Sequence, residues 1–132
     1  MSNNFIKLIY SDLTYKINGI LFKVHNELGR FCNEKQYSDA IENKFKELNI
    51  NYKREEIVPP SFKGELKGRN KVDFIIEDKV ILELKAKRIL EKEDYYQVRR
   101  YLDAFSKKLG LLVNLRQKML QVKRILNSSV KE

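Results

Sequence analysis

The chain has 132 residues, 42% of them hydrophobic, which is enough apolar material for one core and points to one compact domain. Lys and Arg outnumber Asp and Glu by 27 to 18, giving a net charge of +9 and a pI near 9.6, a balance that favours polyanionic partners such as nucleic acid. The single cysteine, Cys32, excludes an intrachain disulfide and a cysteine-built zinc site; with no apolar run near the ~20 residues of a membrane span and no leader-type cleavage site in MSNNFIKLIY, a soluble, cytoplasmic protein is expected.

Leu13, Ile17, Ile20, Leu21, Val24 and Leu28 recur at helical spacing and predict an amphipathic helix, capped by Ser11 or Asp12 and stopped at Gly29. Asn33, a strong cap residue, opens a second helix that buries Tyr37, Ala40, Ile41, Phe45 and Leu48, with Glu34 on the same side. In NYKREEIVPP, charged residues separate Tyr52 from Ile57, and Pro59 and Pro60 end any strand, so a short peripheral strand is predicted. The segment SFKGELKGRN suits a turn or loop with exposed basic residues. Two strands, Val72 to Ile76 and Val80 to Ala86, then form a hairpin through Glu77, Asp78 and Lys79.

From about Lys92 to Lys107, Tyr95, Val98, Leu102 and Phe105 mark another helix, and GLLVNL reads as a buried strand. The basic tail after Arg116 carries a short strand at Leu120 to Ile125 before a polar end expected to fray. This order predicts an α/β fold with a mixed sheet and helices packed against it: a single domain over 1–132, with N-terminal helices at about 11–49 and a sheet-and-helix core at about 51–126.

Within the apolar run VILELKA, Glu83 and Lys85 fall on one face of the strand while Leu82 and Leu84 fall on the other. Burying a carboxylate and an ammonium there is costly unless they are paired, solvated or bound to metal, and Asp73 on the neighbouring strand faces them. One reading is a plain salt-bridge row on a solvated sheet face. The other is a cation site, since hard oxygen ligands select Mg²⁺ or Mn²⁺.

An acid on one strand followed by an acid-x-Lys triplet on the next, here Asp73 and Glu83-Leu84-Lys85, resembles the PD-(D/E)XK nuclease superfamily, although Val72 stands where the stricter pattern has proline. VHNELG at Val24 to Gly29, Glu34 with Tyr37, VDFIIEDKVILELKA at Val72 to Ala86, Gln97 with Tyr101-Leu102, and GLLVN at Gly110 to Asn114 are together similar to the GxxExxY group of small proteins in that superfamily. The glycine of that pattern is replaced by Phe31. The resemblance implies a restriction-endonuclease-like central sheet flanked by helices. It further implies Asp73, Glu83 and Glu34 as ligands of Mg²⁺ or Mn²⁺, Lys85 as base or charge stabiliser, and Gln97 as a supporting helix residue. The implied activity is phosphodiester hydrolysis in DNA or RNA. Rival readings are a non-catalytic nucleic-acid-binding module on the same scaffold and an accessory protein-interaction domain.

Other residues read more plainly. Glu34 has an alternative role in complementing the helix dipole. His25 reads as a surface or hydrogen-bonded structural histidine, Cys32 as structural, and Tyr95, Tyr96 and Tyr101 as cover for the core edge. Lys87-Arg88, Arg99-Arg100, Lys107-Lys108 and Lys123-Arg124 are candidate phosphate contacts. A homodimer is compatible with paired strand cuts, one site cutting one strand.

Overall fold

The computed structural model describes residues 9–130; most of the N-terminal stretch examined for a leader, and the last two residues of the polar tail, lie outside the described residues. Among the described residues, three helices and five strands follow in the order α1 (Ser11–Leu28), α2 (Glu34–Glu47), β1 (Tyr52–Ile57), β2 (Lys71–Ile76), β3 (Val80–Lys85), α3 (Lys92–Phe105), β4 (Leu109–Asn114) and β5 (Val122–Leu126). The strands form one sheet in sequence order, with β3 and β4 parallel through the α3 crossover and every other pair antiparallel. This is the mixed, helix-flanked α/β architecture that the element order predicts. No helix among the described residues is long and apolar enough to cross a membrane.

The sheet separates two apolar clusters. On one face Ile17, Leu21 and Val24 of α1 and Tyr37, Ile41 and Phe45 of α2 pack on Phe74, Ile76, Leu82, Leu84, Leu111 and Val113. On the other, Val98, Tyr101 and Leu102 of α3 cover Val72, Ile75, Ile81 and Leu112. Period-2 alternation puts successive residues of β3 on opposite faces, and β4, covered on both, is buried along all six residues. β1 lies at the sheet edge, as its alternating charge requires.

The helix ends depart from expectation in two places. α1 is entered through Tyr10 in the left-handed conformation (φ 56°), so Ser11 and Asp12 lie inside the first turn and neither caps it. Leu48 is 59% exposed because α2 ends before it; Asn49 turns the chain at φ 54° and Ile50 takes the buried position instead. The tail expected to fray is held as far as Asn127, whose buried side chain donates to Asp103 Oδ1 at 2.9 Å and whose N–H bonds the Lys108 carbonyl at 2.8 Å.

Candidate active site

Two carboxylates meet where the β2–β3 ladder stops. Backbone pairing runs from Ile76–Val80 to Phe74–Leu82 and goes no further. Beyond it, side chains replace the ladder: the Asp73 N–H donates to Glu83 Oε1 at 2.7 Å, and the Leu84 N–H donates to Asp73 Oδ2 at 2.7 Å. Each bond uses one oxygen of its carboxylate and fixes that carboxylate against the partner strand.

β2 is irregular at the same point. Val72 packs with the α3 cluster and Phe74 with the α1–α2 cluster, although a regular pleat would place residues two apart on one face. Across the sheet, Glu55 adopts φ 55° and is skipped by the β1–β2 pairing that holds Arg54 to Phe74 and Glu56 to Val72. A left-handed non-glycine residue costs on the order of 1 kcal/mol. The distortion lets Asp73 line a cleft of about 260 Å³ with Glu34, Lys35, Ser38, Arg54 and Lys71.

Burial pushes the Asp73 carboxyl up to about 6; the Leu84 N–H and Lys85 pull it down, and Glu34 and Glu55 add to the rise. Glu83 is raised well above the usual carboxylate range, first by burial and then by the Asp73 charge. Tyr101, beneath them, is pushed up to about 12 by burial and by Glu83.

Lys85, one residue beyond Leu84, points to the α3 side, where its Nζ donates to Gln97 Oε1 at 2.7 Å and lies 4.0 Å from Asp94 Oδ1. Asp94, which the sequence reading did not single out, lies beside Lys85. It is buried, accepts from the Glu91 N–H at 2.8 Å and from Lys87 Nζ at 3.0 Å, and its carboxyl is lowered by those bonds against the opposing effect of burial. Asn114 was also missed: its buried amide accepts from Lys87 N–H at 3.1 Å and donates to Lys87 O at 2.7 Å, locking the end of β3 to that of β4. An Asn closing an otherwise apolar strand, GLLVN, was the available signal.

Glu34 is the first residue of α2, behind a capping box in which Asn33 and Gln36 exchange bonds of 2.9 and 2.8 Å. Tyr37 is buried; its hydroxyl donates to the Gly29 carbonyl and accepts from the Cys32 N–H at 3.3 Å, so the Glu-x-x-Tyr spacing ties the loop before α2 to the helix that presents Glu34. Phe31, in that loop, is not required to be glycine, because the left-handed position falls at Gly29 (φ 78°). Glu34 reaches the cleft and acts electrostatically on Asp73 and Glu83, but among the described residues no three ligating side chains stand together as a ready cation cage.

The remaining candidates sort themselves. His25 Nε2 lies 2.8 Å from Gln117 O, a hydrogen-bonded structural histidine. Tyr101 packs in the core edge, whereas Tyr96 is 56% exposed at a position where α3 turns to solvent. Of the basic pairs, Lys87 is held by Glu91 and Asp94, Lys107 by Asp78, and Arg124 by Thr14 and the Ile9 carbonyl; Arg88, Arg99 and Arg100 are exposed.

Residues 11–125, from the start of α1 into β5, match the family model of the PD-(D/E)XK nuclease superfamily. The chain belongs to that superfamily. A solved structure described as "Crystal structure of SSO0001" is similar at 19% identity with a TM-score of 0.49, covering 81% of this chain; this chain spans 61% of the length of that one. Comparison with curated proteins gives no match.

Proposed function

We propose that this protein is a divalent-metal-dependent nuclease of the GxxExxY group, hydrolysing phosphodiester bonds in DNA or RNA. The observation that carries this reading is the crossed Asp73–Glu83 arrangement at the ladder opening, with Lys85 held beside it by Gln97. The carboxylates fit a cation: burial disfavours the ionised form of both, the Asp73 charge adds to this at Glu83, and each spends one oxygen on a backbone N–H. Mg²⁺ or Mn²⁺, which binds few protein carboxylates and keeps its waters, suits such a pair, with Glu34 as the outer acid. When bound, the cation supplies charge stabilisation to the phosphate and acidifies a water.

Asp73 and Glu83 would hold and orient that centre. Lys85 would stabilise charge on the phosphate, a role that its hydrogen bond to Gln97 favours over proton abstraction. Asp94 and Gln97 position Lys85. The described residues act as one domain in this reading, since both apolar clusters share one sheet; free Cys32 suits a reducing, cytoplasmic setting, and two copies would serve paired cuts.

Cleavage of single- and double-stranded DNA and RNA with Mg²⁺ or Mn²⁺ tests the reading. Asp73→Ala and Glu83→Ala should each abolish cleavage, and Lys85→Ala should reduce it by ~100- to 1,000-fold with binding retained. The rival reading is a non-catalytic nucleic-acid-binding module on the same scaffold. Salt-sensitive binding with no cleavage under either metal would establish that rival.

A further inference from the structure

Phe31 precedes Glu34 by three residues and is 75% exposed, outside both apolar clusters. Two guanidiniums converge on it: Arg30 Cζ lies 4.9 Å and Arg116 Cζ 5.8 Å from the ring centroid. Their placement is mutual, since Arg30 Nε donates to the Arg116 carbonyl at 2.8 Å and Arg116 Nε donates to the Arg30 carbonyl at 2.9 Å. Residues 86 positions apart in sequence are thus clasped into one surface cluster. Only the Nε of each arginine enters these bonds, so the terminal nitrogens remain as donors for a ligand.

The reciprocal bonds tie the loop before α2 to the segment after β4, but they do not call for an exposed aromatic ring between the two guanidiniums. The cluster leaves a phenyl ring 75% exposed under two guanidiniums, an aromatic face and cations open to a ligand. Its location is informative. Phe31 Cα is at most ~11 Å from Glu34 Cα, by the reach of three residues. Arg116 follows Leu115, whose N–H bonds the Lys85 carbonyl at 2.8 Å. The cluster therefore borders the candidate active site on both sides of its sequence origin.

We propose that Arg30, Phe31 and Arg116 form a docking platform for an unpaired nucleotide, with the base stacked on Phe31 and the guanidiniums on its flanking phosphates. An aromatic face with adjacent cations matches a nucleobase with its phosphates. A base inside a duplex is already stacked and offers no face to Phe31, so the platform selects single-stranded DNA or RNA, or an unpaired end. This deepens the nuclease reading, on which it rests for its polymer class, by naming the form of substrate.

The test is equilibrium binding in EDTA, where no cleavage occurs, of fluorescent oligothymidylate and oligouridylate of about 12 nucleotides and of a blunt DNA hairpin. Phe31→Ala should weaken binding to a single strand by ~5- to 100-fold and to the hairpin by less than about twofold, while Phe31→Trp should stay within about threefold of wild type. Weakening for oligothymidylate alone, oligouridylate alone, or both supports the platform and assigns it to DNA, RNA or either. Unchanged single-strand affinity in Phe31→Ala, an equal loss on the hairpin, or no binding by wild type overturns it. Because no metal is present, absence of metal-dependent cleavage defeats the nuclease reading without touching this one, and unchanged affinity alongside intact cleavage defeats this one alone.

Discussion

At the scale of single residues, Asp73 joins structure to solution behaviour. Its carboxyl is raised from 3.8 to about 6, so the folded chain keeps a proton that the unfolded chain has lost. Between about pH 4 and pH 6 the native state binds more protons, and metal-free stability must fall as pH rises; Glu83, raised by burial and by Asp73, extends that window upward. Asp73→Asn keeps an oxygen for the Leu84 N–H while removing the charge. In EDTA it should stabilise the protein near pH 7.5 by about 1–3 kcal/mol, with the advantage vanishing near pH 4, as read by urea unfolding. Excess Mg²⁺ or Mn²⁺ should stabilise wild type more than the variant, and a variant less stable than wild type in EDTA at pH 7.5 would contradict the assignment of Asp73 as a destabilising buried charge.

Among the elements, the α3–β4 contact fixes the distance between the helix carrying Gln97 and Asp94 and the sheet carrying Lys85. Gly110 permits that approach: a Cβ there would lie 2.6 Å from Val98 Cγ1 and 3.5 Å from both Leu102 methyls. Val98 and Leu102 are fully buried and cannot move aside without displacing α3. Gly110→Ala should therefore cost about 1–3 kcal/mol, and Val98→Ala in the same chain should recover part of the loss, as measured by thermal unfolding. Full stability of Gly110→Ala would show that α3 is free to lift from the sheet.

For the whole molecule, the net charge of +9 overstates the groups available to a polyanion. Lys87, Lys107 and Arg124 are engaged within the fold, leaving exposed arginines such as Arg88, Arg99 and Arg100 in addition to Arg30 and the half-buried Arg116. With about three to five phosphate contacts, affinity for single strands should fall by at least about tenfold between 50 and 200 mM salt. Binding unaffected by salt would assign the basic charge to something other than nucleic acid.

What was readable in the chain itself was whatever repeats along one element. Periods of 3.6 and 2 located the helices and strands, Asn33 marked a cap, and acid-x-Lys in an apolar strand marked Glu83 and Lys85, because those patterns depend only on local side-chain direction. Tertiary structure alone decided which face Asp73 takes, since that depends on the β2 irregularity opposite Glu55, and it alone brought Asp94 to Lys85, Asn114 to Lys87 and Arg116 to Phe31. These pairings join separate segments, and neither partner carries a local signal of the other: the helix ends, ladder openings and strand crossovers that bring them together are outcomes of packing the whole sheet.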